Sequence, residues 1–548
     1  MKRLIFIAVA AVLAVGGIAP VSAAGATGPV RTAEPAPVES VVWGECDGLM
    51  AGRADCAQIP VPLDYRKPAG RKIHIGISRY RHTDTADYQG VLFVNPGGPS
   101  ASGLLNSLAM ASWLSGRGHG DVAAKYDMIG FDPRGVRTID FNPQGVSGGP
   151  TPNAAGGTEP VLNCDPNYRN PIGPDYVPSS AEEERAWLAR SKKYAADCES
   201  KFGWLLPYMG TANHAHDVDV IRQALGMEKI SFYGFSHGTY FGAAYATLFP
   251  GHVKRMVLDA NVNPKTVGYD ALIEQDKAFE RNVRFWFRWV AEYDSIYHLG
   301  RTEKEVEETY YRVRAEAKTS PIGGMVGPSE LDDMVLVTGL TTSLYIGWAQ
   351  ALSQWVVGKD PSAIVANVDP GGDDSAFAVY AAAAAADVKW PRDWKKWRND
   401  AAKLHEQGYR SITWANVWHH APINFWPSQG GSAIKLKDTG VPGILLVHAT
   451  LDGAAPVAGA YEMHKTFRSS RLLLEVGGKS HANSLNGNEC IDGTIAAYLD
   501  NGSLPTSKPG ADAWCLADPA FNDPDPTAPQ PELEDPAMAR KVSPFGRP

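Results

Sequence analysis

The pentapeptide Gly234-Phe235-Ser236-His237-Gly238 constrains this chain more than any other stretch. A short apolar, β-rich run ending at Phe235 precedes it, and a run of small residues with helical character follows from Gly238. G-x-S-x-G between a strand and a helix is the pattern of a nucleophile elbow, a turn so tight that its serine sits in a strained backbone conformation. Glycines on either side let neighbouring backbone pass, and the first amides of the helix face the place where an oxyanion would develop. A second formal match, Gly145-Val146-Ser147-Gly148-Gly149, lies in a Gly/Pro/Asn-rich stretch with no strand before it, so Ser147 reads as loop.

A serine nucleophile needs a base, and the base needs an orienting carboxylate. Downstream, the apolar run 443–448 reads as a buried parallel strand, and Asp452 follows in the loop after it. A further apolar run, 472–476, is followed by a Gly-rich turn containing His481. Ser236, Asp452 and His481 thus occur in the chain order of α/β-hydrolases, each just past an apparent strand. Any one of them alone would read as an ordinary loop residue; the ordered set of three reads as a triad. Earlier, the strand-like run 90–94 leads into Asn95-Pro96-Gly97-Gly98. Small residues there let a backbone amide approach a carbonyl, so Gly97 and Gly98 are candidate oxyanion-hole residues together with the amide of His237. Asp132 and Arg134, in the loop after the strand-like run 126–131, are expected to form structural ion pairs beneath the site.

The sequence therefore predicts an α/β-hydrolase fold: a mostly parallel central sheet flanked by helices, with a large helical cap insertion. The core is placed at 41–262 and 431–517. The intervening 263–430 lacks Val/Ile-rich strand signals and is rich in helix formers and aromatics, so it reads as the cap. Residues 518–548 form a Pro-rich, acidic tail expected to be extended on the surface or disordered.

Four stretches together resemble the secreted tripeptidyl aminopeptidases of actinobacteria, α/β-hydrolases related to prolyl aminopeptidases. They are Asn95-Pro-Gly-Gly-Pro99, Gly130-Phe-Asp-Pro-Arg-Gly135, the elbow with Leu248-Phe-Pro250, and Asn488-Glu-Cys490 with Gly502-Ser-Leu-Pro505. The resemblance runs from about Cys46 to Cys515 and implies Ser236 as nucleophile, Asp452 as orienting acid and His481 as base. It also implies cleavage of short peptides, expected to be tripeptides, from free N-termini through an acyl-enzyme. The chain departs from the family pattern at His237 in the elbow, at Ala455 after the acid and at Ser480 before the base. A cap cysteine pair usual in the family is replaced, with Val290 and Tyr297 at those positions.

An exopeptidase must recognise an α-ammonium group, which calls for a carboxylate in the cap. Glu274, Asp276, Glu280 and Glu292 lie on one long helical region beside aromatics; Glu274, Glu280 and Glu292 are the candidates for that contact. The alternatives are a secreted carboxylesterase or other small-molecule acyl hydrolase on the same triad and, third, a non-catalytic binding protein on a hydrolase scaffold.

Lys2-Arg3, the apolar run from Leu4 to Val15 and Val21-Ser22-Ala23 form a signal peptide over 1–23, and 24–40 reads as a flexible or pro-segment. The apolar run is too short for a membrane span, so the mature protein is expected to be secreted, free of the membrane and monomeric. Six cysteines in an exported chain indicate disulfides. Their spacing suggests local pairing, Cys46 with Cys56, Cys164 with Cys198 and Cys490 with Cys515, and the resemblance implies the same pairing. The formal net charge of −8, falling to −10 without Lys2 and Arg3, argues against a nucleic-acid partner. His214, His216 and Asp217 have ligand-like chemistry and His419-His420 are adjacent, but no H-E-x-x-H or C-x-x-C occurs, and no phosphate-cradling loop follows a strand. No metal and no cofactor are therefore expected.

Overall fold

Runs of apolar residues buried on both faces set the centre of this fold. The computed structural model describes residues 40–136, 161–368, 371–430 and 433–528. The proposed signal peptide, residues 24–39, Ser147 and the end of the tail (529–548) lie outside the described residues.

The strands are β1 (Gly44–Glu45), β2 (Asp55–Pro62), β3 (Lys72–Tyr80), β4 (Gly90–Asn95), β5 (Tyr126–Phe131), β6 (Ile230–Phe235), β7 (Val253–Asp259), β8 (Leu445–Ala449), β9 (Arg471–Val476) and β10 (Ala513–Leu516). They form one sheet in the order β1-β2-β3-β5-β4-β6-β7-β8-β9-β10. β1, β2 and β3 pair antiparallel, as do β3 and β5, and every pairing from β5 through β10 is parallel. Every residue of β5 and β6 is buried, which is why these strands read as continuous apolar runs rather than alternating ones. Alternation still sorts their side chains. Phe93 and Phe232 enter the core on one face of the sheet, and Leu92, Val94 and Tyr233 the core on the other. Burying each such side chain contributes on the order of 2 kcal/mol.

The helices that matter below are α1 (Asn106–Gly116), α2 (Ala181–Phe202), α3 (Thr211–Ala224), α4 (His237–Leu248), α5 (Tyr269–Glu292), α6 (Pro328–Leu340), α7 (Ser375–Asp387), α8 (Thr413–Asn424) and α9 (Glu489–Asn501). Between β7 and β8 the chain is helical, from α5 through α8. On α5, Val283, Trp286, Phe287 and Val290 recur at helical spacing and bury one stripe against Tyr310, Leu331, Met334 and Val335. Where family members carry the cap cysteine pair, Val290 and Tyr297 are buried and Trp289 packs on Tyr297 at 5.7 Å between ring centroids.

Three findings refine the sequence reading. α2 belongs by its packing with the cap helices: Trp187 stacks on Trp418 of α8 at 5.3 Å, closing a surface that neither helix could bury alone. α2 starts where Ser180 accepts the amide of Glu183 (3.1 Å), with Glu182, Glu183 and Glu184 at the positive end of the helix. The first residues of the tail are held in place: Asn522 accepts the Lys479 amide (2.8 Å), and Trp289 donates to the Pro524 carbonyl (3.0 Å). Finally, Arg134 pairs with Asp217 at 2.6 Å, whereas Asp132 accepts from Ser102 Oγ (2.6 Å) and the Gly103 amide (3.2 Å) and pairs with no arginine among the described residues. Asp132 is thus an anchor for the loop after β4.

The cysteines are joined Cys46–Cys56, Cys164–Cys198 and Cys490–Cys515. Among the described residues no helix is long and apolar enough to cross a membrane.

Candidate active site

Three loops at the carboxyl ends of β6, β8 and β9 build the site. Ser236 stands between β6 and α4 with φ 54° and ψ −124°, a conformation that L-residues adopt at a cost of about 1–3 kcal/mol. The surroundings hold it there. The Ser236 amide donates to the Asp259 carbonyl (2.9 Å), and its carbonyl accepts from the Thr239 amide (2.8 Å) and Oγ1 (2.6 Å). The flanking glycines are required by contact, since a Cβ on Gly234 would lie 2.4 Å from the Gly238 carbonyl oxygen.

Asp452 follows β8 and is 1% exposed. Its Oδ1 accepts the amides of Ala454 (2.8 Å) and Ala455 (2.9 Å), which leaves Oδ2 to bond His481 Nδ1 at 2.7 Å. With Nδ1–H donating to the carboxylate, Nε2 is the basic nitrogen of the ring. The loop is braced from below by His448, whose Nδ1 accepts the Asn261 amide (2.9 Å) while Nε2 donates to the Ala455 carbonyl (2.8 Å). Burial keeps His448 neutral. From above, Asn282 on α5 donates its amide to three carbonyls: Leu451 before the acid (2.8 Å), Lys479 before the base (3.1 Å) and Gly339 on α6 (3.1 Å). The His481 amide donates to the Leu340 carbonyl (2.9 Å). Two cap helices therefore hold the loops of both Asp452 and His481.

The loop after β4 lies against the elbow. Gly97 has φ +94°, and a Cβ there would meet Phe235 O at 2.5 Å, Ser236 Cβ at 3.0 Å and His237 N at 3.1 Å. Gly97 thus provides space in front of the His237 amide. It does not provide a donor, because its own amide donates to Asn95 Oδ1 (3.0 Å); of the two glycines, Gly98 lines the cavity over Ser236. The His237 amide is the first of the helix and has no carbonyl one turn back to bond. Its side chain is pushed down to about 4 by burial and stays neutral.

Ser236, His481 and Gly98 open into a cavity of about 1170 Å³, roofed by residues of α5, α6, α7 and α8. The cap carboxylates singled out from sequence are not in its lining. Glu280 is spent on structure, accepting the Arg410 and Ser411 amides (2.8 and 2.9 Å) and pairing with Arg284. Glu274 accepts from Thr266 Oγ1 (3.2 Å), and Glu292, at the end of α5, is exposed. A helix face one residue away matters instead: Gln275 and Phe279 of α5 line the cavity, and Asp276 lies beside them. Asp276 is 3% exposed and accepts Asn416 Nδ2 at 2.9 Å, and no cationic side chain among the described residues pairs with it. Burial pushes its carboxyl up to about 8, against the pull of the Asn416 bond. Asn416 itself lines the cavity, as does Asp333, which accepts the Tyr176 hydroxyl (3.1 Å). His420 donates from Nδ1 to the Asn416 carbonyl (2.7 Å) and accepts the Tyr380 hydroxyl at Nε2 (2.7 Å), which accounts for one member of the histidine pair. His216 stacks on Tyr65 at 4.7 Å and Asp217 holds Arg134, so this group serves the core.

Asn416, Asp333, Tyr176, Tyr380 and the bracing residues Asn282 and His448 were not singled out from sequence. Asp276 stood in the sequence among the acidic residues of this helical region but not among the candidates for the amine; the others sit at spacings that only the packing brings together.

Two family models match the chain, one described as TAP-like protein over residues 411–515 and one as alpha/beta hydrolase fold over residues 91–302. The chain is 37% identical over 479 residues to the tripeptidyl aminopeptidase of Streptomyces coelicolor, covering 84% of each. It is 27% identical over 512 residues to serine protease Hip1 of Mycobacterium tuberculosis, covering 88% of this chain and 92% of that protein. To carboxylesterase B of Mycobacterium tuberculosis it is 26% identical over 502 residues, covering 84% and 88%.

Proposed function

Because the chain belongs to the tripeptidyl aminopeptidase family and is a serine hydrolase of the α/β-hydrolase fold, we propose that it is a secreted exopeptidase that releases tripeptides from free N-termini through Ser236, Asp452 and His481. The observation that carries the reading is the 2.7 Å bond between His481 Nδ1 and a buried Asp452, in a cavity shared with a serine held at φ 54°.

His481 Nε2 takes the proton of Ser236 as Oγ attacks the scissile carbonyl. The amides of His237 and Gly98 receive the oxyanion, in the space that Gly97 leaves open. The imidazolium, stabilised by Asp452, protonates the leaving amine; water then repeats the sequence on the acyl-enzyme. The substrate's α-ammonium is held by Asn416, which lines the cavity, and by Asp276 behind it, whose carboxyl, raised to about 8 by burial, ionises as the cation binds. The core comprises 41–262, apart from α2, and 431–517; the cap comprises 263–430 with α2 packed on it; and 1–23 is an export signal removed from a monomeric mature protein that binds neither nucleic acid nor membrane.

The test is a panel of aminoacyl-, dipeptidyl- and tripeptidyl-anilides beside acyl esters. Free tripeptidyl substrates should be preferred, and N-acetylation should lower kcat/KM by at least ~100-fold, about one buried charge-assisted contact. Equal cleavage of free and acetylated peptides would replace this reading with a carboxylesterase on the same triad.

A further inference from the structure

Asp259, the last residue of β7, bonds two parts of the site with different atoms. Its carbonyl accepts the amide of Ser236 (2.9 Å), and its carboxylate Oδ2 accepts the amide (2.9 Å) and hydroxyl (2.5 Å) of Ser484, in the loop of His481. Ser484 Oγ in turn lies 2.7 Å from the Tyr233 hydroxyl on β6. The next residue, Ala260, is a non-glycine with φ 62° and is fully buried, so the backbone accepts strain to leave the strand in this direction.

Holding Ser484 would need only an amide or a hydroxyl. A carboxylate stands there instead, 1% exposed, with Oδ1 bonded to nothing among the described residues. Burying such a group is unfavourable unless its charge is used. The ionisable groups facing it are His481 and Asp452 from the two catalytic loops and Tyr233 from β6. Burial pushes Asp259 up to about 7, opposed by the bonds from Ser484 and by His481, so its charge changes in the range where a catalytic histidine works.

We propose that Asp259 is a positioning residue for the Ser236–His481 pair: its main chain fixes the nucleophile's turn, its side chain fixes the base loop, and its carboxylate stands behind the imidazolium formed in each turnover. This rests on the triad reading above.

The test compares Asp259→Asn, Ser484→Ala and Ser236→Ala in the full-length mature enzyme, reading kcat, KM and the pH dependence of kcat/KM on a tripeptidyl anilide. Asp259→Asn keeps the shape and an acceptor for Ser484. It should leave KM within about twofold, lower kcat about tenfold, and move the acid limb of kcat/KM down by about half a pH unit, because the imidazolium loses a stabilising charge. Ser484→Ala, which keeps the charge and unties the loop, should lower kcat without moving the limb downward. A folded Asp259→Asn enzyme with unchanged kcat and an unchanged acid limb would overturn the proposal. Should that variant not fold, unchanged kcat in Ser484→Ala would overturn it instead. An active Ser236→Ala enzyme would bring down the triad reading, and an inactive one beside an unaffected Asp259→Asn would bring down this proposal alone.

Discussion

Replacing Gly97 with alanine should disable the oxyanion site while leaving the triad chemically intact. The added Cβ would lie 2.5 Å from Phe235 O, 3.0 Å from Ser236 Cβ and 3.1 Å from the His237 amide nitrogen. Two of the three neighbours are backbone atoms, so no flexible side chain can give way, and the loop or the elbow must move by roughly half an ångström or more. The φ of +94° adds about 1–2 kcal/mol of strain for any residue with a Cβ. Losing one oxyanion donor lowers kcat by about 10²–10³, or about 2.7–4 kcal/mol. The expected result is a kcat reduced at least ~100-fold with KM changed little, because a ground-state carbonyl depends on these donors less than the tetrahedral intermediate does. Initial rates on a tripeptidyl anilide, normalised by titrating Ser236 with a fluorophosphonate, provide the measurement. Gly116→Ala is the control: that glycine ends α1 with open space around it and should be neutral in both activity and melting temperature. A folded Gly97→Ala enzyme within about threefold of the parent kcat would refute the argument from contact distances.

Ser236→Ala, His481→Ala and Asp452→Asn should each lower kcat by several orders of magnitude, with combinations costing little more, while Ser147→Ala should be silent in the same assay. Asp276→Asn should lower kcat/KM on free peptides ~100-fold and leave acyl esters unaffected; equal losses on both would remove it from amine recognition. Since the folded-state pKa of Asp276 is raised to about 8, its contribution to stability is present at acid pH and lost as pH rises. The melting temperature of Asp276→Asn relative to the parent should therefore increase between about pH 5 and about pH 9, and a constant difference would contradict this. The mature protein should titrate no free thiol. Of its bridges, Cys164–Cys198 spans 34 residues against 10 for Cys46–Cys56, so its removal should be the more destabilising, by ~4 against ~3 kcal/mol in thermal unfolding.

The elbow, Asp452 and His481 were legible in the sequence because each is a local event: an apolar run ends and a chemically competent residue follows. The α/β-hydrolase fold was legible for the same reason, since strands buried on both faces leave continuous apolar runs. The proposed amine contact was not legible at residue level. Glu274, Asp276 and Glu280 stand two to four positions apart on α5, and only the rotation of that helix against α8 decides which are used in structure and which is buried beside Asn416. Gly97 shows the same limit at smaller scale: a Gly-Gly loop announces close approach, but whether a glycine lends its amide or only its missing side chain depends on where Asn95 turns its amide group.

Asn282 couples two things that are often treated as separable. A cap resting on a core through apolar contact can swing aside and return, and the catalytic loops remain as they were. Here the side chain of one cap residue is shared among the loop of the acid, the loop of the base and a second cap helix, and the base's own amide is bonded to that helix. Lifting α5 and α6 would draw Asp452 and His481 out of line with Ser236. Opening of the cap at α5 and α6 is therefore coupled to the alignment of Asp452 and His481 with Ser236.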